Sequence, residues 1–118
     1  MKYVILVYGN AATRQIWESM TDEQRLVGWQ GHIDVRESLA ASGELVLSEA
    51  LADVSQTRRV PASSDAVPTD GPFAEVKEHL AGFYVVDCES MDRALEHAGK
   101  IPEAVFGLVE VRPVLDMG

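Results

Sequence analysis

Runs of apolar, β-branched and aromatic residues at four places along the chain predict four strands. These runs cover residues 3–8, 44–51, 80–88 and 106–115, and turn-forming residues such as Gly9 and Asn10 bound them. The segment 52–69 mixes short β-like pieces with Pro, Ser and Asp, which indicates a hairpin or a long excursion.

Two helices are expected between these strands. Thr21 and Gln24 form a capping box that starts the first helix, and Gly43 is a left-handed cap that ends it. Ser90 caps the second helix, whose apolar stripe consists of Met91, Ala94, Leu95, Ala98 and Ile101. The order strand–helix–strand therefore occurs twice. This is the order of the ferredoxin-like βαββαβ fold, an α+β fold with an antiparallel sheet.

Two of the predicted strands are apolar on both of their faces. Residues 4–7 and 83–86 are apolar at successive positions, whereas a sheet with one solvated face alternates apolar and polar residues. Two helices cover only one face, so we expect the other face to pack on a second copy of the chain. This predicts a homodimer with a barrel-like core. The alternative is that the excursion at 52–69 folds over this face.

The composition describes one acidic domain. The 118 residues include 10 Lys and Arg against 19 Asp and Glu, a net charge of −9, and this length suits a single domain over 1–118. Such a balance argues against nucleic acid and anionic membrane surfaces as partners. The N-terminal apolar run is too short to span a membrane and no signal-peptide cleavage site follows it, so we expect a cytoplasmic protein. Cys88, the one cysteine, is expected to be buried and inert.

The first helix carries two residues that could perform chemistry, His32 and Arg36. A helical projection places them inside or beside an apolar arc that should face the sheet, where polar groups are costly unless paired. His32 could exchange a proton near neutral pH, and Arg36 suits an anionic substrate; the alternative for His32 is a hydrogen-bonded structural histidine. His97, on the second helix, is expected at the surface. The arc consists of Leu26, Trp29, Ile33 and Ala40, with Val35 and Leu39 at its edge.

A second cluster of charged residues lies at 70–79, directly before an apolar strand. It begins with a turn at 70–73 and contains three carboxylates, a lysine and a histidine. The alternative to a binding site is a solvated loop whose exposed ion pairs contribute little. The spacing matches no metal motif, and the chain has no phosphate loop, nucleophile elbow or paired-cysteine site, so we expect no metal and no cofactor.

Three stretches of the chain together resemble the DGPF subgroup of the YCII-related proteins. These are Met1-Lys2-Tyr3, the stretch 70–78 with Gly82-Phe83-Tyr84 after it, and the ending 109–113. The resemblance runs nearly from end to end and is weakest over 9–30 and 52–66. It implies a ferredoxin-like fold of the dimeric α+β barrel kind, which agrees with the interpretation of the apolar strands.

The same resemblance implies a site. The family carries a histidine on its first helix, eleven residues before the glycine that ends the helix, and His32 and Gly43 have that spacing. In the family this histidine is proposed to form an acid–base pair with an aspartate, for which Asp70 or Glu49 would serve here. Arg36 would anchor an anion, and the remaining candidate contacts with substrate are Phe73, Glu75 and Lys77.

Two functions stay open on this basis. The first is a homodimer that binds a small anionic organic molecule and performs histidine-assisted proton transfer or elimination next to a carbonyl. The second is a non-catalytic module that senses a ligand or regulates a transcription partner, since the resemblance includes proteins associated with sigma factors.

Overall fold

The protein is built around a four-stranded antiparallel sheet. The computed structural model describes residues 1–73 and 77–117. The strand order is β2-β5-β1-β6, in which β1 is Lys2–Asn10, β2 is Leu45–Ala50, β5 is Glu78–Asp87 and β6 is Val109–Pro113. A separate two-stranded ladder joins β3, Arg58–Arg59, to β4, Thr69–Asp70. The ferredoxin-like α+β fold is therefore confirmed, and the excursion at 52–69 contains the short hairpin that its composition indicates.

The helices begin and end at the capping residues that the sequence indicates, with one addition. Helix α2, Asp22–Ser42, starts at the Thr21 capping box and ends at Gly43, whose φ is +79°. Helix α3, Met91–Ala98, starts at the Ser90 cap. The added helix is α1, Ala11–Ser19, in which Asn10 and Thr13 form a reciprocal capping box. An Asn and Thr pair performs the same task as the Ser/Thr and Glu/Gln pair of the usual motif.

The described residues also form two short 3-10 helices, Val54–Gln56 and Pro102–Phe106. The second one shortens the last strand, which starts at Val109 rather than near 106. Pro102 presets the backbone angle at the start of this turn, and Gly107 ends it with a φ of +70°. The apolar residues at 105 and 106 therefore belong to a helical turn and not to the sheet.

The core lies on one face of the sheet. Residues that pair directly across antiparallel strands point to the same face, and Tyr3, Ile5 and Val7 pair with Val86, Tyr84 and Gly82. All six are buried beneath the helices. The helical side of this core consists of Val35, Leu39, Ala94, Ala98 and Ile101.

The opposite face of the sheet, here called the open face, is apolar but only partly buried. Val4 pairs with Val85 and Leu6 pairs with Phe83, and all four side chains are intermediate in exposure. Leu47, which pairs with Val85 from the edge strand β2, is exposed. The described part of the chain therefore leaves this face only partly covered.

Helix α2 turns a different side to the sheet from the one that its apolar residues predict. Leu26, Trp29 and Ile33 are exposed, whereas Val35 and Leu39 are buried. The reason is a close approach along residues 28 and 31, both glycines: a Cβ on Gly31 would lie 2.7 Å from Cγ of Pro102. The side of α2 that carries Gly31, Val35 and Leu39 packs against the rest of the fold, and Leu26, Trp29 and Ile33 face outward.

His97 is a second correction, because it is 2% exposed and not at the surface. Its Nε2 lies 3.0 Å from Oε1 of Glu44. The Glu44 carboxylate also accepts two hydrogen bonds from Arg93, from Nε to Oε2 at 3.2 Å and from Nη2 to Oε1 at 2.9 Å. The small residues Ala94 and Ala98 bring α3 so close to the sheet that the neighbouring position 97 is covered. Glu44 then joins the start of β2 to α3.

The thiol of Cys88 is buried, as expected, and burial raises its pKa. Within residues 1–73 and 77–117, no helix combines the length and the apolar character that crossing a membrane requires.

The charge on Glu44 should contribute measurably to stability. The hydrogen bonds from Arg93 lower the pKa of Glu44 from 4.5 to about 2. We expect Glu44→Gln to reduce the free energy of unfolding by about 1–2 kcal/mol at pH 7, because charged hydrogen bonds are lost. A carboxyl whose pKa is lower in the folded state than in the unfolded state stabilises the protein at pH values above its unfolded pKa. The difference between wild type and variant, measured by urea denaturation, should therefore shrink as the pH falls from 4.5 towards 2.

Glu96→Gln is the matched control. Glu96 also contacts Arg93, at 3.0 Å, but it is exposed, so its removal should cost less than about 0.5 kcal/mol. Equal losses in the two variants, or a Glu44→Gln effect that does not change with pH, would show that the charge of Glu44 does not join α3 to the sheet.

Candidate functional site

His32 links three elements of the fold through both of its ring nitrogens. Its Nδ1 lies 2.7 Å from the hydroxyl of Tyr84 on β5. Its Nε2 lies 2.7 and 2.9 Å from the two carboxylate oxygens of Glu103, in the 3-10 helix that starts at Pro102. The side chains of His32 and Glu103 are 25% and 24% exposed, whereas Tyr84 is buried. The cluster therefore has a buried end and an end that a small molecule can reach.

The neighbours of His32 fix where its protons lie. Burial, with the negative charge of Glu103 second, raises the pKa of Tyr84 to about 12, although Arg36 acts in the opposite direction. Tyr84 therefore keeps its proton at neutral pH and can donate it to Nδ1. An ionised carboxylate only accepts, so Nε2 carries the proton that Glu103 binds. A neutral imidazole is thus held in one tautomer, and an imidazolium formed by proton uptake at Nδ1 would be stabilised by Glu103.

The position of Glu103 depends on a close backbone approach. Gly31, next to His32 in the sequence, is the residue whose missing side chain lets α2 reach Pro102. Pro102 in turn precedes Glu103. The contact between Gly31 and Pro102 therefore brings the imidazole and the carboxylate into hydrogen-bonding range.

The exposed end of the cluster is bordered by aromatic rings and by a cation. Trp29 lies 6.4 Å from the imidazole, measured between ring centroids, and Trp17 contacts Trp29 edge to face at 5.6 Å. Arg36 is exposed and makes no ion pair with any residue that the structure describes. Its charge reaches the cluster, since it acts on the pKa of Tyr84. The arrangement suits a planar, negatively charged ligand.

The structure places a different carboxylate against His32 from the two that the sequence suggests. Asp70 lies on β4, where it is exposed and forms an ion pair with Arg58 at 3.4 Å. Glu49 pairs with Phe83 and so lies on the open face, across the sheet from His32. The carboxylate that contacts His32 is Glu103, which is 71 residues away in the sequence.

The other candidate residues lie apart from this cluster. Phe73 is exposed and lies against Arg59, with 5.6 Å between the guanidinium carbon and the ring centroid. Lys77 is exposed just before β5 begins, and Glu75 lies outside the described residues. Contacts between these residues and a substrate stay predictions. Among residues 1–73 and 77–117, no group of three or more His, Cys, Asp and Glu side chains is placed to hold a metal ion.

The sequence offered only faint signals for Tyr84 and Glu103. A tyrosine on the buried face of a strand needs a partner for its hydroxyl, and this need is the signal that would have singled out Tyr84. Glu103 lies in a short 3-10 helix that starts at Pro102 and is capped by Gly107. This segment has no repeating apolar pattern that would have singled out Glu103.

Replacing Gly31 should separate Glu103 from His32. A glycine-to-alanine change inside a helix ordinarily stabilises it by up to about 1 kcal/mol. In Gly31→Ala the new methyl group would meet the rigid ring of Pro102, so we expect a net loss of about 1–3 kcal/mol in the free energy of unfolding. The imidazole NMR signals of His32 should shift as well, because Glu103 moves away.

Gly28→Ala is the control on the same side of the same helix. Its Cβ would lie 3.4 Å from the flexible Trp17 side chain, so the helix-propensity gain should persist and the His32 signals should stay in place. If the two variants behave alike, the close approach at Gly31 does not position Glu103.

Comparison with known proteins agrees with this fold. Residues 1–118 match the family model of the YCII-related domain. The uncharacterized protein R00369 of Rhizobium meliloti (strain 1021) is 32% identical over 117 residues, which are 97% of this chain and 92% of that protein.

A solved structure is similar as well. It is 5-chloro-2-hydroxyhydroquinone dehydrochlorinase (TftG) from Burkholderia phenoliruptrix AC1100, in complex with 2,5-dihydroxybenzoquinone. Its TM-score is 0.52 at 16% sequence identity, and the match covers 98% of this chain and 94% of that one. At this identity the similarity establishes the fold alone. Together with the match over the whole sequence, it shows that the chain belongs to the YCII-related family.

Proposed function

We propose that the cluster of Tyr84, His32 and Glu103 binds a small anionic organic molecule and transfers a proton next to a carbonyl group. The observation that carries this proposal is the imidazole of His32, held at both nitrogens and still one-quarter exposed. A structural histidine would be satisfied by the same bonds, but it would not need an exposed edge beside an unpaired cation.

The charge distribution defines the class of ligand. The chain has a net charge of −9, yet Arg36 beside the cluster makes no ion pair within the described residues. A guanidinium binds carboxylate and enolate oxygens through its planar set of donors. The ligand therefore carries an acidic oxygen, and its ring or chain lies along the indole of Trp29.

The chemistry follows from the proton positions. Removal of a proton from a carbon next to a carbonyl leaves an enolate, whose negative charge Arg36 would stabilise. Nδ1 of His32 accepts that proton once the Tyr84 hydroxyl turns away from it, and Glu103, which binds Nε2–H, stabilises the imidazolium that forms. With a leaving group on the neighbouring carbon, the same electron pair forms a double bond and expels it, which makes the reaction an elimination.

The structural neighbour supports this choice of substrate class. Its name is that of a dehydrochlorinase, and its bound molecule is a dihydroxybenzoquinone, a planar ring with acidic oxygens beside carbonyl groups. Such a ring has the shape and charge that the Trp29 and Arg36 side of this cluster would accept.

We also propose that the active form is a homodimer, acting in the cytoplasm, in which two open faces pack together. The support is the apolar character of Val4, Leu6, Phe83 and Val85, none of which is covered by a helix of the same chain. Packing of two such faces would give the barrel-like core that continuous apolar strands favour.

Binding should depend on His32 and Arg36. With 2,5-dihydroxybenzoquinone as the probe, we expect His32→Gln and Arg36→Gln each to weaken affinity about tenfold, because a charged hydrogen bond is lost. Isothermal titration calorimetry measures this. Arg58→Gln makes the same change of charge at an exposed position of the β3–β4 hairpin and should change affinity less than about twofold. Equal losses in all three variants would show that only the overall charge matters.

Catalysis should be visible as hydrogen exchange. Each ring C–H of the same probe belongs to an enol, so delivery of a deuteron to that carbon, followed by removal of the original proton beside the carbonyl, exchanges the hydrogen. The wild-type protein should speed this exchange in heavy water, followed by proton NMR. His32→Gln should reduce this rate at least about a hundredfold, the contribution of a general acid–base group. A wild-type protein that binds the probe without exchange would overturn the catalytic part and favour a ligand-sensing module.

Oligomeric state tests the open face. Leu47→Glu adds a charge to the exposed edge of that face and should convert a dimer to a monomer, as measured by light scattering. Leu26→Glu makes the same change at an exposed position on α2 and should leave the dimer intact. A wild-type chain that is monomeric at micromolar concentration contradicts the dimer.

A further inference from the structure

A cavity separate from the His32 cluster lies at the end of the sheet, where the β3–β4 ladder meets the start of β5. Its volume is about 660 Å³, within the range of small-molecule sites. Its lining shares no residue with the cluster of Tyr84, His32 and Glu103. It does include part of the charged motif at 70–79, which the His32 cluster does not use.

The walls of this cavity are largely apolar. Leu51 and Val54 contribute from the chain after β2, and Phe73 and Leu80 from the motif and from β5. Leu51, Phe73 and Leu80 are all exposed to solvent. These side chains would be covered by the apolar body of a ligand, which gains free energy as water leaves them.

One cation in the cavity lacks a partner. The Nε of Arg59 is buried and has no hydrogen bond, the one such side-chain atom among the described residues. A buried donor without an acceptor destabilises the structure that contains it. Arg58, its neighbour, is occupied by Asp70, and Asp53 on the opposite wall is occupied by Arg14 and by Ser55.

The guanidinium of Arg59 lies against the ring of Phe73. Stacking on an aromatic face holds the planar group in one orientation, and a guanidinium so held can donate two parallel hydrogen bonds. That geometry matches a carboxylate. The lining also contains the carboxylates Asp53 and Glu78, so one guanidinium there favours a ligand with a single negative charge over the multiple charges of a phosphate.

We infer that this cavity is a binding site for small carboxylates with an apolar body. The carboxylate would bind Arg59, and the body would lie between Leu51, Val54, Phe73 and Leu80. This site is independent of the proposed chemistry at His32, and it assigns a role to Phe73 that differs from contact with the His32 substrate.

Benzoate is a suitable probe, with benzyl alcohol as its uncharged counterpart. In ¹H–¹⁵N NMR spectra of the wild-type chain, benzoate should cause saturable shifts in the amide signals of residues 51–60 and 77–80. Benzyl alcohol should cause much weaker shifts, because it cannot pair with Arg59. Absence of shifts with benzoate, or equal shifts with both compounds, overturns the site.

Variants locate the binding. Arg59→Gln should weaken benzoate binding at least about tenfold, and Arg59→Lys should restore only part of the affinity, because it keeps the charge but loses the planar donor pair. Lys100→Gln makes the same change of charge at an exposed position outside the cavity and should leave the affinity within about twofold. If Arg36→Gln weakens benzoate binding and Arg59→Gln does not, benzoate binds at the His32 cluster and this inference is wrong. Retained dispersion of the NMR spectrum shows that each variant is folded.

Discussion

The contact between Gly31 and Pro102 is the constraint on which the arrangement of the site depends. A Cβ at position 31 would overlap Cγ of Pro102, so only a glycine allows α2 to reach the 3-10 helix. That approach determines which side of α2 faces the sheet. It also places the carboxylate of Glu103 against the imidazole of His32, whose other nitrogen reaches Tyr84 on the sheet. Gly31 thus allows α2 and the 3-10 helix at Pro102 to approach each other, and His32 then contacts both Glu103 and Tyr84 on β5.

Much of the fold follows from local signals in the sequence, and the site follows from them only in part. Thr21, Gly43 and Ser90 cap the helices as their chemistry predicts, because capping depends on residues close together in the chain. His32 was identified through its spacing from Gly43, but its partners lie on distant elements. Local patterns contain no information on a contact between residues 71 positions apart.

The two errors in helix orientation have a common physical cause. The apolar residues of α2 predicted the packed face, and the histidine of α3 was expected at the surface. In both helices the packed side includes small residues: Gly31 in α2, which meets Pro102, and the buried Ala94 and Ala98 in α3. Close backbone packing covers neighbouring polar positions, which can then be buried if a partner such as Glu44 is present. Hydrophobicity alone does not report this kind of contact.

The edge-to-face pair of indoles beside His32 has a consequence for observing the protein. The chain contains two tryptophans, and Trp17 and Trp29 contact each other next to the imidazole. Its tryptophan fluorescence therefore originates from one wall of the candidate site. Emission from the unlabelled wild-type protein is a local signal of events near His32, and it is insensitive to the hairpin end of the sheet, where no indole is present.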